Sequence, residues 1–113
     1  MVTDSRPKDC RIRKVVQTLN ADPLHTVPEL AHNYQISASR LSHLFKNEVG
    51  VNVKDYRLDC RLQRSAEMLV STNMLIKEIA YLAGYGHSSS FVRAFKTHFG
   101  VSPASYRRRR VAA

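Results

Sequence analysis

The sequence predicts an all-α fold of about seven helices, arranged as two helix-turn-helix subdomains joined by a long linker helix. Three observations carry that prediction. Apolar residues recur at helical spacing along nearly the whole chain, and no stretch alternates as a strand does. Helix start and stop residues fall at regular intervals between those stretches. The chain also matches itself at an offset of fifty residues.

The elements follow in order. After Pro7, residues 9–21 place Ile12, Val15, Val16 and Leu19 on one face, and Asp22-Pro23 ends the run. Thr26 and Glu29 have capping-box spacing, with Pro28 tolerated in the first turn because its missing N–H has no intrahelical partner. The short helix that follows runs through Leu30, Ala31 and Tyr34. Ser37 caps the next helix, which carries Leu41, Leu44 and Phe45 and stops at Gly50, a natural left-handed terminator. Residues 53–71 form the long helix, with Leu58, Leu62, Ala66 and Leu69 expected along one side and Arg57, Arg61 and Arg64 in a second stripe. Ser71, Thr72 and Asn73 end it. A short helix through Ile76, Ile79, Ala80 and Ala83 precedes a turn at Gly84-Tyr85-Gly86. His87 or Ser88 begins the next helix, with Phe91, Phe95 and Phe99 inside and Gly100 closing it. Ser102 caps the last helix and Pro103 opens it, running into Arg107, Arg108, Arg109 and Arg110. The expected organisation is an N-terminal arm (1–8), a first subdomain (9–52), a linker helix (53–71), a second subdomain (72–109) and a basic tail (110–113).

Composition narrows the function. The chain has 113 residues, 43% hydrophobic and 24% charged, which suits one compact domain or two very small ones. Eighteen Lys and Arg against nine Asp and Glu leave a net charge of +9. So basic a domain calls for a polyanionic partner, nucleic acid ahead of an anionic membrane. Cys10 and Cys60 have no CxxC spacing, so they make neither a disulfide framework nor a four-ligand zinc site and are expected as reduced thiols. No apolar run approaches the ~20 residues of a membrane span, and the start lacks a signal-peptide core. The expected location is cytoplasmic.

The repeat carries the functional argument. Ser39 aligns with Ser89, Phe45 with Phe95, Lys46 with Lys96, Gly50 with Gly100, Tyr56 with Tyr106 and Arg57 with Arg107. Upstream, Glu29-Leu30-Ala31 matches Glu78-Ile79-Ala80 at offset forty-nine, so the second turn is one residue longer. Each half is a short helix, a turn and a second helix. In the second helix of the first half, Ser39, Ser42, His43 and Lys46 share one face and Leu41, Leu44 and Phe45 lie opposite. In the other half, Ser89, Val92, Arg93 and Lys96 hold the same positions, with Phe91, Ala94 and Phe95 opposite. Short polar groups plus one basic residue suit the DNA major groove, where Ser, His and Arg hydrogen-bond base edges and Val can touch a thymine methyl. A linker of about eighteen residues spans roughly 27 Å. With the flanking turns, that places the two reading helices about 34 Å apart, one turn of B-DNA. Unlike reading faces imply a non-palindromic site.

These residues resemble the AraC/XylS family of bacterial transcription regulators. The resemblance is carried by Arg61-Leu62 with Ala66, by Ile79-Ala80, Gly84-Tyr85 and Phe91-Val92-Arg93-Ala94-Phe95-Lys96, and by Gly100-Val101-Ser102-Pro103 through Tyr106-Arg107. It covers about residues 9–109, and the first half looks much like the arabinose-regulator branch. It implies a two-part DNA-binding domain acting at promoters, often as an activator touching RNA polymerase, in the bacterial cytoplasm at the nucleoid. The family's base-reading places fall on Ser39, Ser42 and His43 in the first half and on Ser88, Ser89, Val92 and Arg93 in the second. Some relatives carry larger readers where Ser39 and Ser42 stand, and many have Pro in place of Leu75.

Arg93 is the best base reader, since Arg pairs with guanine in bidentate fashion, with a phosphate contact as its alternative, and His43 is either a base or phosphate contact or a solvated surface residue. Lys46 and Lys96, at the end of each reading face, are phosphate partners, and Arg40 joins them. Arg57 and Arg61, with Arg64, either track the DNA backbone or form a solvated stripe. Arg107 and the three arginines after it grip phosphates or form a basic tail. No HExxH, GxSxG, Gly-rich phosphate loop or paired-carboxylate pattern is present, so neither enzyme, metal site nor cofactor is expected. The chain is expected to bind duplex promoter DNA as a monomer, with dimerisation left to a domain outside it. The alternative is a nonspecific basic nucleic-acid-binding protein.

Overall fold

Seven helices run through residues 9–111, which the computed structural model describes, and no strand occurs among them. They are α1 (Cys10–Ala21), α2 (Val27–Asn33), α3 (Ala38–Val49), α4 (Val53–Ser71), α5 (Ile76–Leu82), α6 (Ser88–Phe99) and α7 (Pro103–Val111). The N-terminal arm and Ala112 and Ala113 of the basic tail lie outside the described residues.

The start and stop chemistry acts largely as the sequence dictates. Thr26 accepts from the Glu29 N–H at 3.3 Å, Ser37 from the Arg40 N–H at 3.0 Å and Ser102 from the Ser105 N–H at 3.2 Å. Asp9 adds a cap to α1, accepting from the Arg11 N–H at 2.8 Å. Gly50 and Gly100 end α3 and α6 in the left-handed region, at φ 95° and 80°. The capping box at Thr26 is only half formed, because the Glu29 carboxylate faces His25 Nδ1 at 3.3 Å. At α5 the other half appears: Glu78 Oε1 accepts from the Leu75 N–H at 3.0 Å, while Leu75 has no side-chain acceptor to return.

The chain divides into two compact units between Cys60 and Arg61. In the first, Ile12, Val15 and Leu19 of α1 pack with Leu30 and Ala31 of α2, Leu41 and Phe45 of α3, and Val53 of α4. Tyr56 sets its ring edge-on to Phe45, centroids 5.4 Å apart, and donates its hydroxyl to Asn20 Oδ1 at 2.7 Å. In the second, Leu62, Ala66 and Leu69 of α4 pack with Ile79, Ala80 and Ala83, and with Phe91 and Phe95 of α6. Tyr106 meets Phe95 edge-on, again at 5.4 Å, so the repeat persists at the level of ring contacts. Ser65 is fully buried and donates to the Leu62 carbonyl at 2.7 Å, which satisfies its hydroxyl.

Leu58 departs from expectation. It is 38% exposed, whereas Leu62, Ala66 and Leu69 are buried. At about 100° per residue, Val53 and Tyr56 lie roughly half a turn around α4 from the Leu62 stripe. Val53 and Tyr56 pack on the first core, and Leu62, Ala66 and Leu69 on the second. Leu58 belongs to the later stripe but sits in the earlier half.

Candidate nucleic-acid interface

Each unit holds one helix-turn-helix, and the two turns are closed by the same bonds. After α2 the Ile36 N–H donates to the Ala31 carbonyl at 3.1 Å and the Gln35 N–H to the His32 carbonyl at 3.1 Å. After α5 the Tyr85 N–H donates to the Ala80 carbonyl at 3.0 Å and the Gly84 N–H to the Tyr81 carbonyl at 3.0 Å. This is the Schellman pattern, which requires a left-handed residue past the helix end. Gln35 and Gly84 fill that place, at φ 57° and 91°. Between turn and helix the second unit inserts Gly86, the extra residue implied by the change of offset. Ser37 caps α3 with its hydroxyl, while His87 precedes α6 with no side-chain cap bond.

The second helix of each motif is anchored by its apolar face: Leu41 and Phe45 in α3 and Phe91 and Phe95 in α6 are fully buried. That burial turns the opposite face outward. In α3, Ser39, His43 and Lys46 are exposed and Ser42 is half-buried, with Arg40 exposed at the flank. In α6, Ser88, Ser89, Arg93 and Lys96 are exposed. Val92 is half-buried and packs against the second unit's core, which fixes its isopropyl group at the edge of the face. None of these polar side chains makes a hydrogen bond or ion pair with another described residue. A helix so anchored, with open donors and two cations outward, can enter a major groove without breaking internal bonds.

Three arginines expected on phosphates, Arg57, Arg61 and Arg107, reach distant backbone carbonyls of their own chain. Arg57 Nε donates to the His25 carbonyl at 2.7 Å. Arg107, its counterpart in the repeat, donates from Nε to the Leu69 carbonyl at 2.9 Å and from Nη2 to the Thr72 carbonyl at 3.2 Å. Arg61 Nε donates to the Ala83 carbonyl at 2.8 Å and Nη2 to the Gly84 carbonyl at 3.4 Å, with Cζ 4.6 Å from the Tyr85 ring centroid. Arg61 and Arg107 satisfy carbonyls at or just past a helix C-terminus, groups that have no intrahelical partner, and Arg57 satisfies a loop carbonyl ahead of α2. Charge and spacing did not reveal these tethers, because the accepting carbonyls lie twenty-two or more residues away in sequence.

The perturbed groups lie off the reading faces. Burial pushes the Tyr56, Cys60 and Tyr85 protons to higher pH. The hydrogen bond from the Arg11 side chain holds the Asp9 carboxyl below its ordinary range. Both cysteines are free thiols. Among the described residues no group of His, Cys, Asp and Glu could hold a metal ion, and no helix is long and apolar enough to cross a membrane.

Comparison with known proteins bears on this arrangement. A family model described as a helix-turn-helix domain matches residues 30–109. The arabinose operon regulatory protein of Escherichia coli (strain K12) is 33% identical over 104 residues, covering 89% of this chain and 36% of its own length. The lactose operon transcription activator of Staphylococcus xylosus is 33% identical over 82 residues, 73% of this chain and 29% of its own. The chain thus spans about a third of the length of these curated relatives. Among solved structures, the C-terminal domain of AraT, a response regulator from Geobacillus stearothermophilus, superposes with a TM-score of 0.84 at 31% identity, over 93% of this chain and 89% of that one. With the helix-turn-helix model matched across both units and the arabinose regulators among its relatives, the chain belongs to the AraC/XylS family of DNA-binding transcription regulators.

Proposed function

We propose that this chain reads two successive major-groove segments of a non-palindromic promoter site, one with α3 and one with α6. The observation that carries the reading is the pair of outward faces, equivalent in position and unlike in chemistry, whose polar groups have no partner among the described residues. Ser39, Ser42 and His43 face bases in one segment, and Ser88, Ser89, Val92 and Arg93 in the other. Lys46, Lys96 and Arg40 take phosphates. Arg57, Arg61 and Arg107 are better suited to the scaffold than to phosphate, since their guanidinium groups already serve backbone carbonyls. Two covalently joined readers let a monomer bind, with any dimerisation supplied from outside this chain, and the site of action is the bacterial cytoplasm at the nucleoid.

Selection from a random-sequence duplex library at near-physiological salt tests this reading. It expects one asymmetric motif with two boxes about 10 bp apart. Salt-sensitive binding with no motif would instead establish a nonspecific nucleic-acid-coating protein.

We further read the domain as an activator that touches RNA polymerase. Tyr81, 78% exposed, and Leu82, 47% exposed, give α5 an outward apolar surface suited to a protein contact. A pull-down of polymerase without DNA, by wild type and by Tyr81→Ser, tests it.

A further inference from the structure

The two turns are equivalent in their backbone bonds but not in what fastens them. Arg61 holds three consecutive residues of the second turn: the carbonyls of Ala83 and Gly84, and the face of the Tyr85 ring. Tyr85 in turn packs on Phe91 in the first turns of α6, centroids 5.6 Å apart. One planar, permanently charged group therefore ties α4, the turn and the reading helix together, a task that needs the fork and the stacking face of Arg rather than its charge alone.

The repeat places Arg11 at the corresponding position of the first unit, since Cys10-Arg11-Ile12 matches Cys60-Arg61-Leu62 at offset fifty. Arg11 does something else. Its Nε and Nη2 donate to the Asp9 carboxylate at 3.3 and 3.0 Å. The first turn (Tyr34, Gln35 and Ile36) is thus without the guanidinium that braces the second, and it carries a non-glycine residue in the left-handed region.

We propose that Arg61 is a positioning residue for base recognition: by fastening the second turn it fixes how α6 presents Val92 and Arg93. Sequence discrimination then concentrates in the box under α6, where a guanine for Arg93 neighbours a thymine methyl for Val92. The box under α3, served by small hydroxyls on an unbraced turn, tolerates substitution. The specificity part rests on the DNA-reading function proposed above.

Two measurements on the same proteins test it. In the free protein, hydrogen exchange compares the Tyr85 N–H with its counterpart, the Ile36 N–H. The Tyr85 amide is expected to exchange about tenfold or more slowly in wild type, and Arg61→Lys, which keeps the charge and loses the fork, is expected to abolish that difference. Equal rates in wild type would overturn the brace. On DNA, competition measures the affinity lost when each selected box is scrambled. Arg61→Lys should cut the penalty for the α6 box by about tenfold and leave the α3 box within about twofold. Equal loss at both boxes would reduce Arg61 to a general structural role. Full discrimination in Arg61→Met with a salt slope lower by about 0.9 would make Arg61 a phosphate contact instead. If wild type selects no motif, the DNA-reading function falls, while the exchange comparison still decides whether Arg61 braces the turn.

Discussion

Gln35 and Gly84 stand at the same place in the two turns, both with positive φ and both donating their N–H to the carbonyl three residues back. Glycine adopts that conformation freely, whereas a side chain there costs about 1–2 kcal/mol. Replacing Gln35 by Gly should stabilise the first unit by about 0.5–1 kcal/mol after the added chain entropy of glycine. Gly84→Ala should destabilise the second by about 1–2 kcal/mol. Urea midpoints of the two variants check both signs.

Tyr56 and Tyr85 make opposite predictions on loss of a hydroxyl. Tyr56 donates to Asn20, so Tyr56→Phe should cost about 1 kcal/mol. The Tyr85 hydroxyl is buried with no hydrogen-bond partner among the described residues, and Tyr85→Phe should gain about 1 kcal/mol. Thermal melts at neutral pH separate the two.

The same phenols set an alkaline limb. Burial raises both above the ordinary value of 10.0, so the neutral forms favour the folded state. That stability is fully present below the unfolded value and is lost as pH rises through the folded ones. From about pH 10 upward the wild-type urea midpoint should fall more steeply than that of the Tyr56→Phe, Tyr85→Phe double variant.

Leu75 leaves α5 half capped. Leu75→Thr would place a hydroxyl where Thr26 serves α2, and Glu78 already accepts from the Leu75 N–H. A gain of about 0.5–1 kcal/mol is expected in thermal unfolding, with DNA affinity unchanged.

On DNA, three basic residues should part ways. Arg93→Ala should relax preference at one base pair by about 1–3 kcal/mol. Lys96→Ala should weaken all duplexes alike and lower the salt slope by about 0.9. Arg107→Met should leave that slope unchanged and instead lower stability by about 1.5–3 kcal/mol, because its bonds go to the Leu69 and Thr72 carbonyls.

Most helix boundaries were legible because caps and stops are local chemistry: Thr26, Ser37, Ser102, Gly50 and Gly100 act within a few residues of themselves. The outward faces were legible because the fully buried pairs Leu41 with Phe45 and Phe91 with Phe95 fix the roll of each helix. What escaped depends on distant partners. Leu58 reads as core until α4 is known to serve one core up to Cys60 and the other after it. Arg57, Arg61 and Arg107 read as a charged surface until the carbonyls they reach are located. Glu29 has capping-box spacing, but His25 competes for its carboxylate.

The division of α4 has a consequence for how the molecule fails. Of its nineteen residues, Val53 to Cys60 rest on the first core and Arg61 to Ser71 on the second. Neither piece reaches the ~12–15 residues at which a helix is even marginally stable alone in water. Melting one core therefore strips a segment that has no stability of its own, so each part of α4 lasts only as long as the core beneath it.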